Sequence, residues 1–284
     1  MSEAEWSCWP SPAKINLMLK VIGRRDDGYH LLQTVFQFLD LHDDIHFRPN
    51  FSGEICLQSP LAGVDLADNL LVKAARLLQQ EAGIDAGVEM RLDKRIPMGA
   101  GLGGGSSNAA TGLLVLNRIW GAGFSTDQLA ELGLSLGADV PVFVRGFAAW
   151  AEGVGEKLTP IELKPSWYLL LTGADAVSTA KVFSSFRLTK EQNSITMPDF
   201  FSGRVVENDL TEVVCRLSKS VREALTVLSR FGNARMTGSG STVFVEFACF
   251  DEASEAAEKI DDRWFPVVTQ GINRSLLIDK LDTI

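Results

Sequence analysis

The stretch Pro97-Met98-Gly99-Ala100-Gly101-Leu102-Gly103-Gly104-Gly105-Ser106-Ser107-Asn108 constrains this chain more than any other, since five of its twelve residues are glycine. Such a run has little side chain to bury and loses the most backbone entropy on ordering, so it suits a place where something must approach bare backbone. Before it, Val88-Glu89-Met90-Arg91-Leu92 alternates as a strand does. After it, Ala109 to Trp120 is helix-compatible, with apolar residues at 110, 113, 114, 116 and 120. Strand, glycine loop and helix N-terminus together make an anion site, because free N–H groups point outward and the helix dipole favours negative charge. The expectation is a phosphate-binding loop. The bland alternative is a flexible linker, which is not usually flanked by a strand and a helix start.

Several known phosphate loops do not fit. Gly99, Gly101 and Gly104 satisfy G-x-G-x-x-G literally, but a dinucleotide fold needs an acidic residue about 20 positions on, at the end of the next strand. That region reads Trp120-Gly121-Ala122-Gly123-Phe124, a turn. A Walker loop ends in Gly-Lys-Ser/Thr, whereas this one has Gly105-Ser106-Ser107. Neither the Val-Ala-Ile-Lys strand nor the His-Arg-Asp loop of protein kinases occurs.

At 284 residues the chain has room for two domains, and 46% apolar with 22% charged residues is ordinary globular composition. A net charge of −9 without a basic run argues against a nucleic-acid partner but leaves a nucleotide open. The cysteines (Cys8, Cys56, Cys215, Cys249) are scattered, which disfavours structural zinc or a disulfide framework and fits a reducing cytoplasm. Met1-Ser2-Glu3-Ala4-Glu5-Trp6 carries acid where a signal peptide carries base, and no apolar run reaches the roughly 18 residues of a membrane span. A cytoplasmic protein with no membrane association is expected, as a monomer or weak homodimer.

From Ala13 the chain alternates: Ile15, Leu17, Leu19 and Val21 on one face, Lys14, Asn16, Met18 and Lys20 on the other. Lys14 and Asn16 thus share a face, which could be plain solvent-exposed strand. Arg24-Arg25-Asp26-Asp27-Gly28-Tyr29-His30 reads as a hairpin turn, with a second strand over Leu31–Leu39. His42-Asp43-Asp44-Ile45-His46 resembles a metal cluster, but a His pair four apart needs a helix face, and this segment reads as turn then strand. Asp68 is a plausible cap for a helix over Asp68–Gln80, with Gly83 beyond its end. Ser125-Thr126-Asp127-Gln128 is a capping box opening a helix to about Leu136.

Asp139 then sits in a tight turn before an apolar strand, Val140–Val144. An acid there needs a partner or a ligand, or it simply caps the turn. A domain boundary is expected near residue 160. The second half reads as strand (167–172), helix (179–186), an irregular polar stretch (187–208), one helix (210–230), a Gly/Ser turn at Thr237-Gly238-Ser239-Gly240, a strand, a helix (251–260) and a final strand.

Three stretches resemble one family. Pro12-Ala13-Lys14-Ile15-Asn16-Leu17, the loop Pro97 to Ala110, and Thr237-Gly238-Ser239-Gly240 are similar, in order and spacing, to the three motifs of the GHMP small-molecule kinases. The resemblance covers nearly the whole chain. Gly23-Arg24-Arg25-Asp26-Asp27-Gly28-Tyr29-His30, Gln37-Phe38-Leu39-Asp40 and Asn108 resemble the branch whose acceptor carries a cytidine diphosphate. Ala100 departs from the further glycine common there, a methyl group that should be tolerated.

The resemblance implies an α+β fold of two domains: an S5-like nucleotide-binding domain (1–160) and a ferredoxin-like substrate domain (161–284), with the active site between them. It implies ATP as co-substrate, with Mg2+, and phosphoryl transfer to an alcohol. Asp139 is expected to take the hydroxyl proton and Lys14 to stabilise the attacked oxygen. The loop from Pro97 to Asn108 would hold ATP, with Asn69 and Lys94 as further nucleotide contacts and Ser107 as a possible metal contact. Asn16, Tyr29, His30, Phe36 and Phe183 are expected on the acceptor, with Tyr29 and Phe183 sandwiching a base and His30 at its edge. Gly238, Ser239 and Gly240 support the site. A mevalonate- or homoserine-type kinase would share the loop without needing that base clamp, and a non-catalytic nucleotide-binding regulator would lack Lys14 or Asp139.

Overall fold

In the computed structural model, residues 5–59, 61, 63–187 and 194–283 are described. Met1–Ala4 of the N-terminal reading and 188–193 of the irregular stretch lie outside them. Strands β1 (Ser7–Arg24) and β2 (His30–Asn50) form one long antiparallel hairpin, closed where expected by the turn holding Asp27 and Gly28, whose φ is +91°. β2 runs straight through His42–His46, where a turn was expected. Both its edges are paired there, by β1 (Trp9 opposite Ile45) and later by Leu92, so alternation simply continues. Asp43, Ile45 and Phe47 point inward and are fully buried.

Next come β3 (Ile55–Leu57), a 3-10 turn (Leu66–Asp68), α1 (Leu70–Ala82) and β4 (Gly87–Asp93). The cap of α1 is Asn69, whose side chain accepts from the Leu71 amide, rather than Asp68; Gly83, left-handed, ends the helix. α2 (Gly104–Ile119) starts five residues earlier than the apolar pattern suggested, so Gly104 to Asn108 are its first turn, not loop. α3 (Thr126–Leu136) carries the expected capping box.

The run after Asp139 is a helix, α4 (Val140–Arg145), and not a strand. A short apolar run does not distinguish the two. Pro141 in the first turn lacks only an N–H that a helix start leaves unused, and burial of Val140–Val144 against α2 and α3 decides. β5 (Ala149–Glu152) and β6 (Lys157–Pro160) complete this half, β5 pairing with β2.

The second half holds β7 (Trp167–Leu171), α5 (Thr179–Ser185), α6 (Met197–Phe201), α7 (Thr211–Leu217), α8 (Lys219–Leu228), β8 (Arg235–Met236), β9 (Val243–Phe247), α9 (Phe250–Ala257), β10 (Pro266–Ile272) and α10 (Leu276–Asp282). The single helix expected over 210–230 is two. Ser218 leaves the helical region and caps α8 by accepting from the Val221 amide, which turns the chain. The terminal α10 was not foreseen.

Strands of this half lie in the order β10-β7-β9-β8, and β10 also pairs with β2 at Gly271 and Ile272, making one sheet of both halves. One core lies under α1–α4, a second between the later helices and β7–β9, and a third is shared by β1, Ile96, Leu102, Tyr168 and Phe244. β1 is therefore covered on both faces, and the solvent-exposed reading of Lys14 and Asn16 fails: they are 3% and 4% exposed. α10 returns to the first half, where Leu277 enters its core.

Candidate active site

The glycine stretch, the hairpin and α5 enclose a cleft of about 1100 Å³. Gly103, left-handed at φ +74°, caps α2 without a side chain, so the first amides of the helix open into the cleft. A Cβ on Gly103 would meet Phe143 Cζ at 2.7 Å and Lys14 Cε at 3.1 Å. A Cβ on Gly101 would meet the Gly240 carbonyl at 2.7 Å. The loop is thus seated between Lys14 and the third motif, where the Thr242 amide donates to the Ala100 carbonyl. Ala100, the departure from the family pattern, is buried beside that bond.

Lys14 and Asp139 come together at 3.2 Å, the lysine side chain 4% and the aspartate 36% exposed. The Asp139 carboxylate makes no capping bond to α4, so the turn-cap alternative has no support. Lys14 also donates to Asn16 Oδ1 at 2.7 Å and lies 5.4 Å from the Phe36 ring centre. Buried charge paired in this way, with one partner open to the cleft, is an arrangement suited to moving a proton.

Of the loop residues, Pro97 through Ser106 and Asn108 line the cleft. Ser107 does not: it is 1% exposed and its hydroxyl bonds Ser11 Oγ at 2.9 Å, so the expected metal contact is turned into the core and Ser106 is the loop hydroxyl left at the cleft. Gly238 and Ser239 line it, whereas Gly240 stands behind Gly101. Asn69 and Lys94 also line it; Asn69 Oδ1 accepts at its helix cap, and Lys94 Nζ lies 2.6 Å from Asp43.

Asp43 escaped the sequence reading as a site residue. Its buried carboxylate accepts from the Arg95 and Ile96 amides (2.8 and 2.9 Å), Lys94 Nζ and Asn108 Nδ2, tying both flanks of the glycine loop to β2. The signal was available: in an unbroken strand it shares a face with Ile45 and Phe47, and an acid there needs partners. The neighbouring histidines go elsewhere, His42 to the Asp40 carbonyl and His46 to Asp93. Among the described residues no three metal-ligating side chains cluster.

At the other end, Tyr29 is 63% exposed, and His30 packs on Phe183 with ring centres 5.2 Å apart. Burial, with Arg24 close by, holds the His30 pKa below its ordinary value. Phe183 lies on α5, which Thr179 fastens to Ser239 at 2.7 Å. Leu61, Val64 and Leu70 also line the cleft near Asn69, an apolar wall that sequence reading missed.

A glycine-rich helix start thus shares one cleft with a lysine–aspartate pair, an arrangement that can hold a phosphate and move a proton. Residues 69–147 match the family model described as GHMP kinases N terminal domain, and residues 200–266 match GHMP kinases C terminal. The chain belongs to the GHMP kinases and is a kinase, for which ATP is the co-substrate. Within that family, a Nitrosococcus oceani protein named 4-diphosphocytidyl-2-C-methyl-D-erythritol kinase is 51% identical, over 96% of this chain and 98% of the relative. A protein of the same name from Xanthomonas euvesicatoria is 50% identical over 99% and 96%. A crystal structure of 4-(cytidine 5'-diphospho)-2C-methyl-D-erythritol kinase, 34% identical, superposes with a TM-score of 0.83 over 94% of this chain and 100% of that one. A mevalonate kinase structure, 15% identical with a TM-score of 0.67, shares the fold.

Proposed function

We propose that this chain transfers the γ-phosphoryl group of ATP to the 2-hydroxyl of 4-diphosphocytidyl-2-C-methyl-D-erythritol, a step of non-mevalonate isoprenoid precursor synthesis, in the cytoplasm. The observation that carries the reading is the Lys14–Asp139 pair at 3.2 Å, placed between the open N-terminus of α2 and the Tyr29–His30–Phe183 end of one cleft. The names borne by relatives of about half identity favour this acceptor over mevalonate or homoserine. Among the described residues no helix is long and apolar enough to cross a membrane.

Phosphoryl transfer passes through a loose transition state, so positioning and electrostatics supply most of the catalysis. The backbone amides at the start of α2 bind the phosphates. Asp139 accepts the proton of the acceptor hydroxyl, and the Lys14 ammonium steadies the oxygen as it becomes nucleophilic. Ser106 is the loop hydroxyl that would reach a Mg2+ carried by the nucleotide, an ion that takes only one or two protein ligands when phosphates supply others and that would neutralise phosphate charge. Tyr29, His30 and Phe183 take the cytosine, with Phe36 and Asn16 beside the sugar alcohol. An ADP-release assay with the cytidine-diphospho sugar alcohol, mevalonate and homoserine tests the reading. Turnover with the first alone is expected, and turnover with only the other two overturns it.

A further inference from the structure

We infer that Thr34 is a positioning residue for the Lys14 ammonium, acting through Asn16, an inference that rests on the catalytic reading of Lys14 above. The Thr34 hydroxyl, 1% exposed, owns one proton. It lies 2.5 Å from the Met18 carbonyl, which can only accept, so the proton goes there. The Thr34 oxygen can then only accept from its other neighbour, Asn16 Nδ2, at 2.8 Å. That fixes the amide: its NH2 faces Thr34, and its Oδ1 faces Lys14 Nζ at 2.7 Å.

Thr237 holds the Asn16 backbone from the other side and is compatible with this orientation. Its oxygen accepts the Asn16 backbone amide at 2.9 Å, and its hydroxyl has Asn16 Oδ1 within 3.4 Å as acceptor. With the amide turned over, donor hydrogens would face the Lys14 ammonium and Lys14 would lose its bond to Asn16, while the Thr34 oxygen, its proton given to Met18, would face an oxygen. The register shift between Asn16 and Met18 lies at this point, and a side chain meets the Met18 carbonyl there. Lys14 thus has one anchor of fixed polarity in the core and one, Asp139, at the cleft. A lysine is a flexible stem with a point charge, and the partly exposed carboxylate alone would align it weakly.

The test compares Thr34→Val, which removes the hydroxyl at similar volume, with Thr34→Ser, which keeps it. Thr34→Val is expected to lower kcat on the order of 10-fold with KM for ATP unchanged, the size of effect a small misplacement of a reacting group produces. Thr34→Ser is expected to turn over like the wild type. In an Asn16→Ala background Thr34→Val is expected to add little, because the chain of bonds is already cut. A Thr34→Val enzyme with wild-type kcat, a Thr34→Ser enzyme as slow as the valine variant, or equal losses in both backgrounds overturns the inference. Thr34→Ala gives the same readout where the valine variant does not fold. Lys14→Met is measured alongside: retained turnover there overturns the reading of Lys14 itself, whereas its loss beside a fully active Thr34→Val overturns only the role of Thr34.

Discussion

The Asp43 carboxylate and the Lys94 ammonium lie 2.6 Å apart, the first wholly buried and the second at the edge of the cleft. Lys94 thus carries a counter-charge in the core. It belongs to a clamp that also takes in the Arg95 and Ile96 amides and Asn108. Asp43→Ala leaves those donors without their acceptor and Lys94 without its counter-charge. Stability is expected to fall by about 3 kcal/mol, the usual cost of halving a buried pair. The urea midpoint at unchanged slope measures it, and a wild-type midpoint contradicts the clamp.

Asp139 has no capping duty, so Asp139→Asn should leave α4 and the nucleotide site intact. Turnover is expected to drop on the order of 10²-fold or more while ATP affinity stays nearly constant, because the amide cannot take the hydroxyl proton. Steady-state rates together with calorimetric ATP titration separate the two. Full activity in this variant would remove Asp139 from the chemistry.

Neighbouring glycines should differ in tolerance. Gly103→Ala places a Cβ in the left-handed region and 2.7 Å from Phe143, next to Lys14, so both stability and kcat are expected to fall. Gly105 lies in the helix, with only Leu70 Cδ1 at 3.5 Å from a new Cβ, and Gly105→Ala is expected to fold at least as well as the wild type. Thermal melts of the pair decide, with a large loss in Gly105→Ala as the contrary outcome.

His30 should stay neutral at pH values where an ordinary histidine takes up a proton, because burial and then Arg24 oppose its charge. Its folded pKa lies below the ordinary histidine value of 6.5, so the unfolded chain binds the proton more tightly. The stability it permits is present above that value and is lost as the pH falls below it. An NMR titration of the ring protons should give a midpoint under 6.5 that rises in Arg24→Gln; a midpoint at or above 6.5 contradicts the assignment.

The elements that sequence reading placed correctly are those specified by neighbours in the chain. The Asp27-Gly28 hairpin, the Ser125/Gln128 capping box and the left-handed Gly83 stop each answer to dihedral preference and hydrogen bonds within four residues. Where it erred, competition between distant surfaces decided. Val140–Val144 suits strand or helix until α2 and α3 cover it. His42–His46 suggests a turn until strands pair on both sides of β2.

The candidate site divides in the same way. By itself the sequence determined the glycine run with a strand before it and a helix after it, because bare backbone and apolar periodicity are set by neighbours in the chain. It also supplied Lys14 and Asp139 as residue types. Only the tertiary structure brought those two to 3.2 Å, turned Ser107 inward and Ser106 outward, and gave Asp43 and Thr34 their partners. A buried polar side chain is defined by the donors and acceptors that enclose it, and here they arrive from strands and loops far apart in the chain.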